Sequence, residues 1–421
     1  MAYNKTEHLR RNIEAIRTAF ALEREQRAAT PEERDVLRAY SGFGAIKEVL
    51  EPLPHKKETA LTPLIEELHA VLKENTGGER EYKRYLDGLK ASVLTAFYTP
   101  EPVTDAIMRM LYNAGVVPVR ALEPSAGTGA FAEYLRRYNE EAEITCFEKD
   151  PLTGLILRHL HPDDTVRVQG LFDLITSNIP FGDVSLFDPA FSSSRDPVRR
   201  QGAWAIHNYF FMKSVDLVRA GGLIAFITSQ GMADAERNRP VREWLMERCD
   251  LVAAVRLPNN LFTDHAGTEV GSDLIVLQKN SAARPLSERQ RDFIETRTLS
   301  NGITVNNSFR SLDRVVQTSA KVGTNPYGKP AMEFTHAGGV EGIARALADM
   351  LAEDMERHFN RELYESHAPK TAPRQYRERQ TETVSPRQAH DDIGQARNTE
   401  LSGQTALRQH GNREIAREIP A

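Results

Sequence analysis

A glycine-containing segment at residues 121–131 constrains the fold more than any other part of the sequence. It follows an apolar run that ends at Val119 and precedes a segment with apolar residues at helical spacing: Phe131, Tyr134, Leu135 and Tyr138. This order predicts a turn from a strand into a helix. Gly127 and Gly129 can adopt positive φ, and the start of a helix presents unpaired N–H groups. We therefore expect a ligand to bind at this turn.

Two acidic residues stand at predicted strand ends near the glycines. Glu123 lies where a loop that binds pyrophosphate would carry no anion, so it favours a cationic ligand. Glu148 follows the next apolar run roughly 20 residues beyond the glycines, the usual distance for an acid that binds ribose hydroxyls. The alternatives are an ion pair with a nearby Lys or Arg for Glu123 and a surface charge for Glu148.

A second motif follows the apolar run Phe172–Thr176. Residues 177–182 place an amide, a proline and an aromatic ring at another strand end. An isolated Asn-x-Pro-Phe sequence is a common turn. Because this one follows a strand and lies downstream of the glycines, its position favours a chemical role at the same edge of a parallel sheet.

Together these segments resemble the N6-adenine DNA methyltransferases. Glu123–Gly129 is similar to the S-adenosylmethionine loop of that family, and Asn178–Phe181 is similar to its catalytic Asn/Asp-Pro-Pro-Tyr/Phe loop, with Ile179 in place of the first proline. Other segments resemble later strands of the family, in part those of type I restriction modification subunits: residues 221–230 and 255–262. Two more resemble methylase domains of large methylase-helicase proteins of mobile elements: residues 41–44 and 325–329.

The resemblance implies a role for each residue that matches a motif. It implies cofactor binding by the segment that starts at Phe97, the glycine loop, the second strand end and the catalytic loop: Tyr98, Thr99, Pro100, Glu123, Pro124, Ser125, Gly127, Thr128, Gly129, Glu148 and Asn178. It also implies that Asn178 and Pro180 accept hydrogen bonds from the amine of adenine, while Phe181 stacks on the base. The alternative for Thr99 and Pro100 is an ordinary helix start capped by threonine.

Charge gives weak guidance on DNA binding. The formal net charge is -5, so any DNA-binding surface must be a local patch. Arg195, Arg199 and Arg200 follow the catalytic loop in a polar stretch that we interpret as a long loop suited to phosphate contacts. A solvated basic turn is an equal alternative.

Composition favours a cytoplasmic protein without a metal centre or a membrane anchor. The chain has two cysteines and no Cys-x-x-Cys pair, which suits a reducing compartment and offers no zinc framework. It has no apolar run of about 18 residues.

The order of apolar patterns predicts an α/β fold. From residue 101, strand-like runs alternate with helical patterns, which indicates a mostly parallel, Rossmann-like sheet with helices on both faces. We predict a helical region at 1–95, the methyltransferase catalytic domain at 96–280, an extension at 281–366 with a helix near 340–363, and a disordered tail at 367–421. Within the first region, the 40–44 segment is either a turn between helices or a loop packed over the cofactor site.

One segment departs from the family pattern. Val166–Gln169 resembles a third strand, yet the fourth begins at Phe172, whereas parallel strands need a crossover of about a dozen residues. Either this segment is not a sheet strand, or a stretch that contacts the adenine ring of the cofactor in other members is missing. We therefore expect weak cofactor binding.

The expected function is S-adenosylmethionine-dependent methylation of adenine N6 in DNA. The resemblance leaves open whether a separate specificity or helicase partner is required. Two alternatives remain: a catalytically impaired relative that still binds DNA or cofactor, and a protein glutamine N-methyltransferase, because an Asn-Pro-Pro-Tyr site also serves that amide nitrogen.

We predict that deleting residues 370–421 leaves the melting temperature nearly unchanged, because this segment is too poor in apolar residues to join a core. Differential scanning calorimetry of the full and shortened chains measures the difference. A fall of several degrees would contradict the expected disorder.

Overall fold

The computed structural model describes residues 4–44, 46–50, 58–95, 98–162, 171–182, 184–263, 269–324 and 330–368. Several sequence-based predictions lie outside these residues: the strand at 166–169, the segment at 325–329, Phe97, and the tail beyond residue 368.

The helices and strands follow one another as the alternating pattern predicts. The first half of the chain contains α1 (Lys5–Glu25), α2 (Pro31–Arg38), α3 (Thr62–Glu74), α4 (Glu79–Thr95), α5 (Glu101–Asn113), β1 (Arg120–Glu123), α6 (Ala130–Tyr138), β2 (Glu143–Cys146), α7 (Pro151–Leu160), β3 (Phe172–Asn178), α8 (Pro189–Ser192), α9 (Pro197–Gly202) and α10 (Ile206–Leu217). The second half contains β4 (Val218–Ser229), α11 (Gly231–Asp234), α12 (Arg239–Met246), β5 (Cys249–Leu257), β6 (Ser272–Lys279), α13 (Glu288–Ile294), β7 (Thr296–Thr298), β8 (Thr304–Asn306), β9 (Ser319–Thr324), β10 (Pro330–Thr335), α14 (Gly339–His358) and α15 (Arg361–Ser366). Short 3₁₀ turns lie at Lys47–Leu50, Glu236–Asn238, Asn259–Phe262, Asn307–Phe309 and Leu312–Arg314.

The predicted helical region before the sheet is confirmed. Helix α2 begins with a capping box, in which the Thr30 side chain accepts a hydrogen bond from the Glu33 N–H at 3.2 Å and the Glu33 carboxylate accepts one from the Thr30 N–H at 2.9 Å. The apolar faces of α1 to α4 form one core with the buried face of α7, including Leu152 and Ile156. This core joins the helical region to the edge of the sheet.

The predicted α/β sheet is also confirmed. The strand order of the six-stranded sheet in the described residues is β2-β1-β3-β4-β6-β5. The pairings of β1, β2, β3 and β4 are parallel, and β6 runs antiparallel to both of its neighbours. Successive residues of β3, such as Leu174 and Ile175, enter different buried clusters, so both faces of the sheet are covered. The parallel strands with helices on both faces make this a Rossmann-like sheet.

The C-terminal part differs from its prediction in two ways. The helix expected near residues 340–363 ends at His358, and Asn360 caps a separate helix α15 by accepting a hydrogen bond from the Leu363 N–H at 2.9 Å. The β7–β8 and β9–β10 hairpins were not predicted, because their strands are short and largely exposed. Helix α14 packs on the sheet through Leu347 and Leu351, which are fully buried.

Side chains of β3 fasten β1 at both of its ends. At the start of β1, the buried Asp173 carboxylate accepts hydrogen bonds from the N–H groups of Val119 and Arg120 at 2.9 and 2.8 Å. The same carboxylate pairs with the buried Arg219 guanidinium, which lies 4.6 Å from the Tyr364 ring centroid. Beyond the other end of β1, the Ser177 hydroxyl donates to the Ser125 carbonyl at 2.9 Å. These contacts supplement a backbone pairing of only two residue pairs.

We predict that Asp173→Ala lowers the free energy of unfolding by about 3–5 kcal/mol, because it leaves a buried arginine and two backbone donors without their acceptor. Urea denaturation measures this change. Glu365→Ala is the control, since it removes an exposed ion pair with Arg361 and should cost only about 0.3–0.5 kcal/mol. Equal effects of the two substitutions would show that Asp173 is not a major support of the sheet.

Candidate active site

The two sequence motifs meet at one edge of the sheet. The glycine loop follows β1, the Asn178 loop follows β3, and these strands are parallel neighbours. The hydrogen bond between Ser177 and Ser125 joins residues 52 positions apart in the chain. The Ile179 N–H donates to the Ile227 carbonyl of β4 at 3.0 Å, which fixes the start of the catalytic loop on its other side.

The glycine loop has the predicted backbone. Gly127 and Gly129 have φ values of 57° and 87°, in the left-handed region that favours glycine. The Glu123 carboxylate is 1% exposed and accepts hydrogen bonds from the N–H groups of Phe131 and Ala132 at 3.3 and 2.8 Å. Glu123 therefore holds the first turn of α6 against the end of β1, a structural contact that the sequence did not reveal.

Glu148 lies against the same loop. One carboxylate oxygen accepts the Gly127 N–H at 2.8 Å and the other accepts the Asp150 N–H at 2.7 Å. Burial raises the pKa of Glu148, although these two N–H groups oppose the shift. A carboxylate has about four lone-pair sites, so two acceptor positions remain for ligand hydroxyls.

The 98–100 segment closes over the glycines. A Cβ atom at Gly127 would lie 2.6 Å from Cε1 of the Tyr98 ring. Thr99 is buried, and its hydroxyl has no hydrogen-bond partner among the described residues. Helix α5 starts after Pro100 without a side-chain cap, so the threonine cap considered as an alternative does not form. The Thr99 hydroxyl is thus a buried polar group that does not cap this helix.

The 40–44 segment also packs here. The Tyr40 ring is 3% exposed, lies edge-on to Tyr98 with 6.5 Å between ring centroids, and places its hydroxyl 3.3 Å from Thr153 Oγ1 of α7. Burial, followed by the charge of Glu148, raises the pKa of the Tyr98 hydroxyl, which keeps it protonated. Of the two alternatives, the geometry therefore favours a loop packed over the site rather than a simple turn between helices.

His161 also lies at this site, although no motif in the sequence indicates it. A Cβ atom at Gly129 would lie 2.5 Å from His161 Nε2, so this ring covers the second glycine. It also lines a cavity of about 220 Å³ together with Glu148, Asp150, Arg84 and Arg158. Pockets that enclose a drug-sized ligand measure about 300–1,000 Å³. This cavity is smaller, so it could hold only part of a nucleoside-sized ligand. Only the fold brings α4 and the end of α7 to this place.

The Asn178 loop leaves Asn178 and Pro180 partly exposed and buries Ile179. Asn178 and Pro180 are partly exposed, whereas Ile179 is 1% exposed and packs in the core with residues such as Ile175. The Phe181 ring meets the buried Phe262 ring edge-on, with 6.1 Å between centroids. A buried aliphatic residue therefore stands where the family has its first proline.

The arginine segment is not the long polar loop that we expected. It forms the short helices α8 and α9, capped by Asp188 and Asp196. Arg199 donates two hydrogen bonds to the Asp216 carboxylate at 2.8 and 2.7 Å, so its charge already has an intramolecular partner. Arg195 and Arg200 are exposed.

Residues 157–341 match the family model described as N-6 DNA Methylase. The resemblance to the N6-adenine DNA methyltransferases is confirmed. The chain is 26% identical over 209 residues to the "Defense against restriction protein B" of Escherichia phage P1, covering 46% of this chain and 9% of that protein. It is 25% identical over 244 residues to the "Type II methyltransferase M.XamI" of Xanthomonas campestris pv. amaranthicola, covering 52% of this chain and 44% of the relative. The chain thus spans less than half the length of these relatives.

Among solved structures, the chain is similar to a modification subunit of a putative type I restriction enzyme from Vibrio vulnificus YJ016. The sequence identity is 18%, the TM-score is 0.36, and the similarity covers 53% of this chain and 54% of that chain.

The family and the fold imply S-adenosylmethionine as the cofactor. The residues fit it: Glu148 lines the cavity beside the glycine loop and keeps free acceptor positions, and the buried Thr99 hydroxyl lacks a partner among the described residues. Among the residues that the structure describes, no helix is long and apolar enough to cross a membrane. No group of three or more His, Cys, Asp or Glu residues among them could hold a metal ion.

We predict that Gly127→Val abolishes binding of S-adenosylmethionine, because a β-branched residue at positive φ is strained and its Cβ would clash with Tyr98. Isothermal titration calorimetry measures the affinity. Gly339→Val is the matched control: its φ is 58°, and nothing lies within 4 Å of a Cβ built there. Unchanged affinity in Gly127→Val, or equal loss in both variants, would contradict a binding role for the glycine loop.

Proposed function

We propose that this chain transfers a methyl group from S-adenosylmethionine to the N6 amine of adenine in DNA. The observation that carries the proposal is the Ser177–Ser125 hydrogen bond, which holds the Asn178 loop directly beside the glycine loop. A group transfer requires donor and acceptor to be held together in line, and two loops fastened to each other supply that proximity.

In this proposal the glycine loop and its neighbours bind the cofactor. The remaining acceptor positions of Glu148 hold the ribose hydroxyls, and the Thr99 hydroxyl donates to or accepts from the ligand. Glu123 acts at the methionine end by holding the loop and the helix N-terminus in place. Pro124, Ser125 and Thr128 line the partly exposed rim of the loop.

The catalytic loop prepares the acceptor amine. The lone pair of that nitrogen is delocalised into the adenine ring, which makes it a poor nucleophile. The Asn178 amide oxygen and the Pro180 carbonyl each accept one of its N–H groups, which localises the lone pair and orients it. When bound, S-adenosylmethionine would supply the methyl group from its sulfonium sulfur and be left as a neutral thioether, and the proton that the amine nitrogen gives up would pass to solvent.

Phe181 supplies the stacking surface for the base. Its edge-on contact with the buried Phe262 fixes the ring before the substrate arrives. An adenine inside a duplex cannot reach this loop, so the nucleotide must swing out of the stack, and a fixed aromatic face offsets part of the lost stacking.

The choice of DNA rests on the family match and on the names of the relatives. A glutamine side chain offers the same kind of planar N–H₂ group to Asn178, so protein methylation remains the competing substrate class. We also propose that the chain works with a specificity or helicase partner. The chain covers only part of the length of its relatives, so a partner could supply functions that the rest of those relatives contain.

The deciding experiment offers the protein labelled S-adenosylmethionine with duplex DNA or with a bacterial protein extract. Label in DNA that is recovered as N6-methyladenine after nucleoside digestion supports the proposal. Label in protein glutamine would contradict DNA methylation and support a protein glutamine methyltransferase. Cofactor binding without any transfer would identify a catalytically impaired relative.

We predict that Asn178→Ala retains its affinity for the cofactor but slows methyl transfer by about 10²–10³-fold, because its hydrogen bond acts mainly in the transition state. Calorimetry and single-turnover transfer separate the two effects. Asn113→Ala, at the exposed end of α5, is the control and should change neither. Equal loss of binding and rate in Asn178→Ala would make Asn178 a cofactor or structural residue.

A further inference from the structure

Two exposed aromatic side chains follow neighbouring chain segments beyond the Asn178 loop. Phe187 is 84% exposed and Trp204 is 67% exposed. The Leu186 N–H donates to the Ala203 carbonyl at 2.9 Å, and the Ser185 hydroxyl donates to the same carbonyl at 3.3 Å. The two aromatic residues therefore follow directly on chain segments that are hydrogen-bonded to each other. We call Phe187 and Trp204 the aromatic pair.

The aromatic pair stands on a fixed support. Asp188, next to Phe187, accepts hydrogen bonds from the Tyr209 hydroxyl at 2.9 Å and from the Lys213 ammonium at 3.0 Å. Burial opposes ionisation of Asp188, but the hydrogen bonds from Lys213 and Tyr209 outweigh it and lower its pKa. Trp204 lies between Ala203 and Ala205, which are both buried. Large aromatic rings held in solvent by an ordered support are typical of an interaction surface.

The aromatic pair is close to the chemistry. Phe187 follows Phe181 by six residues, so the chain between them can span at most about 20 Å. Trp204 lies two residues before α10, whose Phe211 packs against Phe226 of β4 in the sheet core. The aromatic pair is thus continuous with the loop that receives the substrate base.

The charge around the aromatic pair suits a polyanion. Arg200 donates to the carbonyls of Ser194 and Arg195 at 2.6 and 3.1 Å, and neither Arg200 nor Arg195 forms an ion pair with a described residue. Arg199, by contrast, is neutralised by Asp216 and lies 4.4 Å from the Phe191 ring centroid, inside the support. Two exposed guanidinium groups without an ion pair among the described residues, in the same 187–204 stretch as two exposed rings, match a phosphate backbone with its bases.

We propose that the aromatic pair is a wedge that enters duplex DNA where the adenine has left the stack. This inference rests on the proposed function, because only a swung-out base leaves such a gap. Apolar and aromatic side chains stabilise a disrupted base step by stacking on the bases that remain. Arg195 and Arg200 contact the phosphates beside the gap. A protein partner would also cover exposed rings, but it would not call for unneutralised arginines beside them.

The two tryptophans of the chain allow a direct optical test. Trp244 is 6% exposed and its indole N–H donates to the Asp196 carboxylate at 2.9 Å, so Trp204 is the one that can stack on a base. The probes are two duplexes of one sequence, one intact and one with a single abasic site, where a gap already exists and unstacking costs least. We expect the abasic duplex to quench the full chain more strongly and to bind more tightly. The quenching should disappear in Trp204→Phe, which retains only Trp244.

Substitutions then test the wedge itself. Phe187→Ala and Trp204→Ala should each weaken binding of the abasic duplex by about 5- to 150-fold, the range expected for loss of one stacked base, and should remove the preference over intact DNA. Trp204→Phe should retain much of the preference, because it keeps a stacking ring. Val117→Ala is the control, since this residue is 47% exposed and precedes β1, at the opposite end of the strand from the glycine loop, and should change neither measurement.

The outcomes separate the wedge from the proposed function. Wild-type methylation of DNA without quenching, and with no effect of either alanine substitution, would overturn the wedge and leave the methyltransferase proposal standing. Preference for the abasic duplex that depends on the aromatic pair, without transfer to DNA, would support the wedge while contradicting the methylation chemistry. Equal binding of both duplexes by every variant would point to a protein partner and overturn the inference.

Discussion

The geometry of this site depends on how β3 holds β1. These strands share only two backbone residue pairs, yet each end of β1 is fixed by a β3 side chain, Asp173 at the start and Ser177 beyond the end. Because Asn178 follows Ser177 directly, the residue that fastens the glycine loop is next to the residue proposed to act on the substrate. A shift of either strand would move both loops together.

The N-terminal helices belong to the site as much as to the scaffold. Tyr40 packs on Tyr98, which in turn covers Gly127. On α4, a Cβ atom at Gly88 would lie 2.6 Å from an Asp150 carboxylate oxygen, so glycine lets this helix approach the start of α7 closely. The helical region therefore forms one wall of the cavity beside the glycine loop.

The 255–262 segment, which resembles a later strand of the family, contributes packing and backbone contacts. Phe262 supports the Phe181 ring, while the neighbouring Asn259 and Asn260 accept hydrogen bonds from the N–H groups of Phe334 and His336, each at 3.0 Å. This segment ties the catalytic loop to the β9–β10 hairpin. Its polar residues are thus explained by the need to satisfy buried backbone groups at a loop junction.

The sequence by itself determined the local features of this protein. Strand runs, helix starts and positive φ at Gly127 and Gly129 follow from periodicity, capping residues and the lack of a Cβ, so the α/β order and the two motif loops could be predicted. Only the tertiary structure decided which groups face the site. His161 reaches Gly129 from the end of α7, Glu123 turns inward to cap α6, and Arg199 is neutralised by Asp216, 17 positions away. These outcomes depend on contacts between segments distant along the chain, which no local pattern encodes.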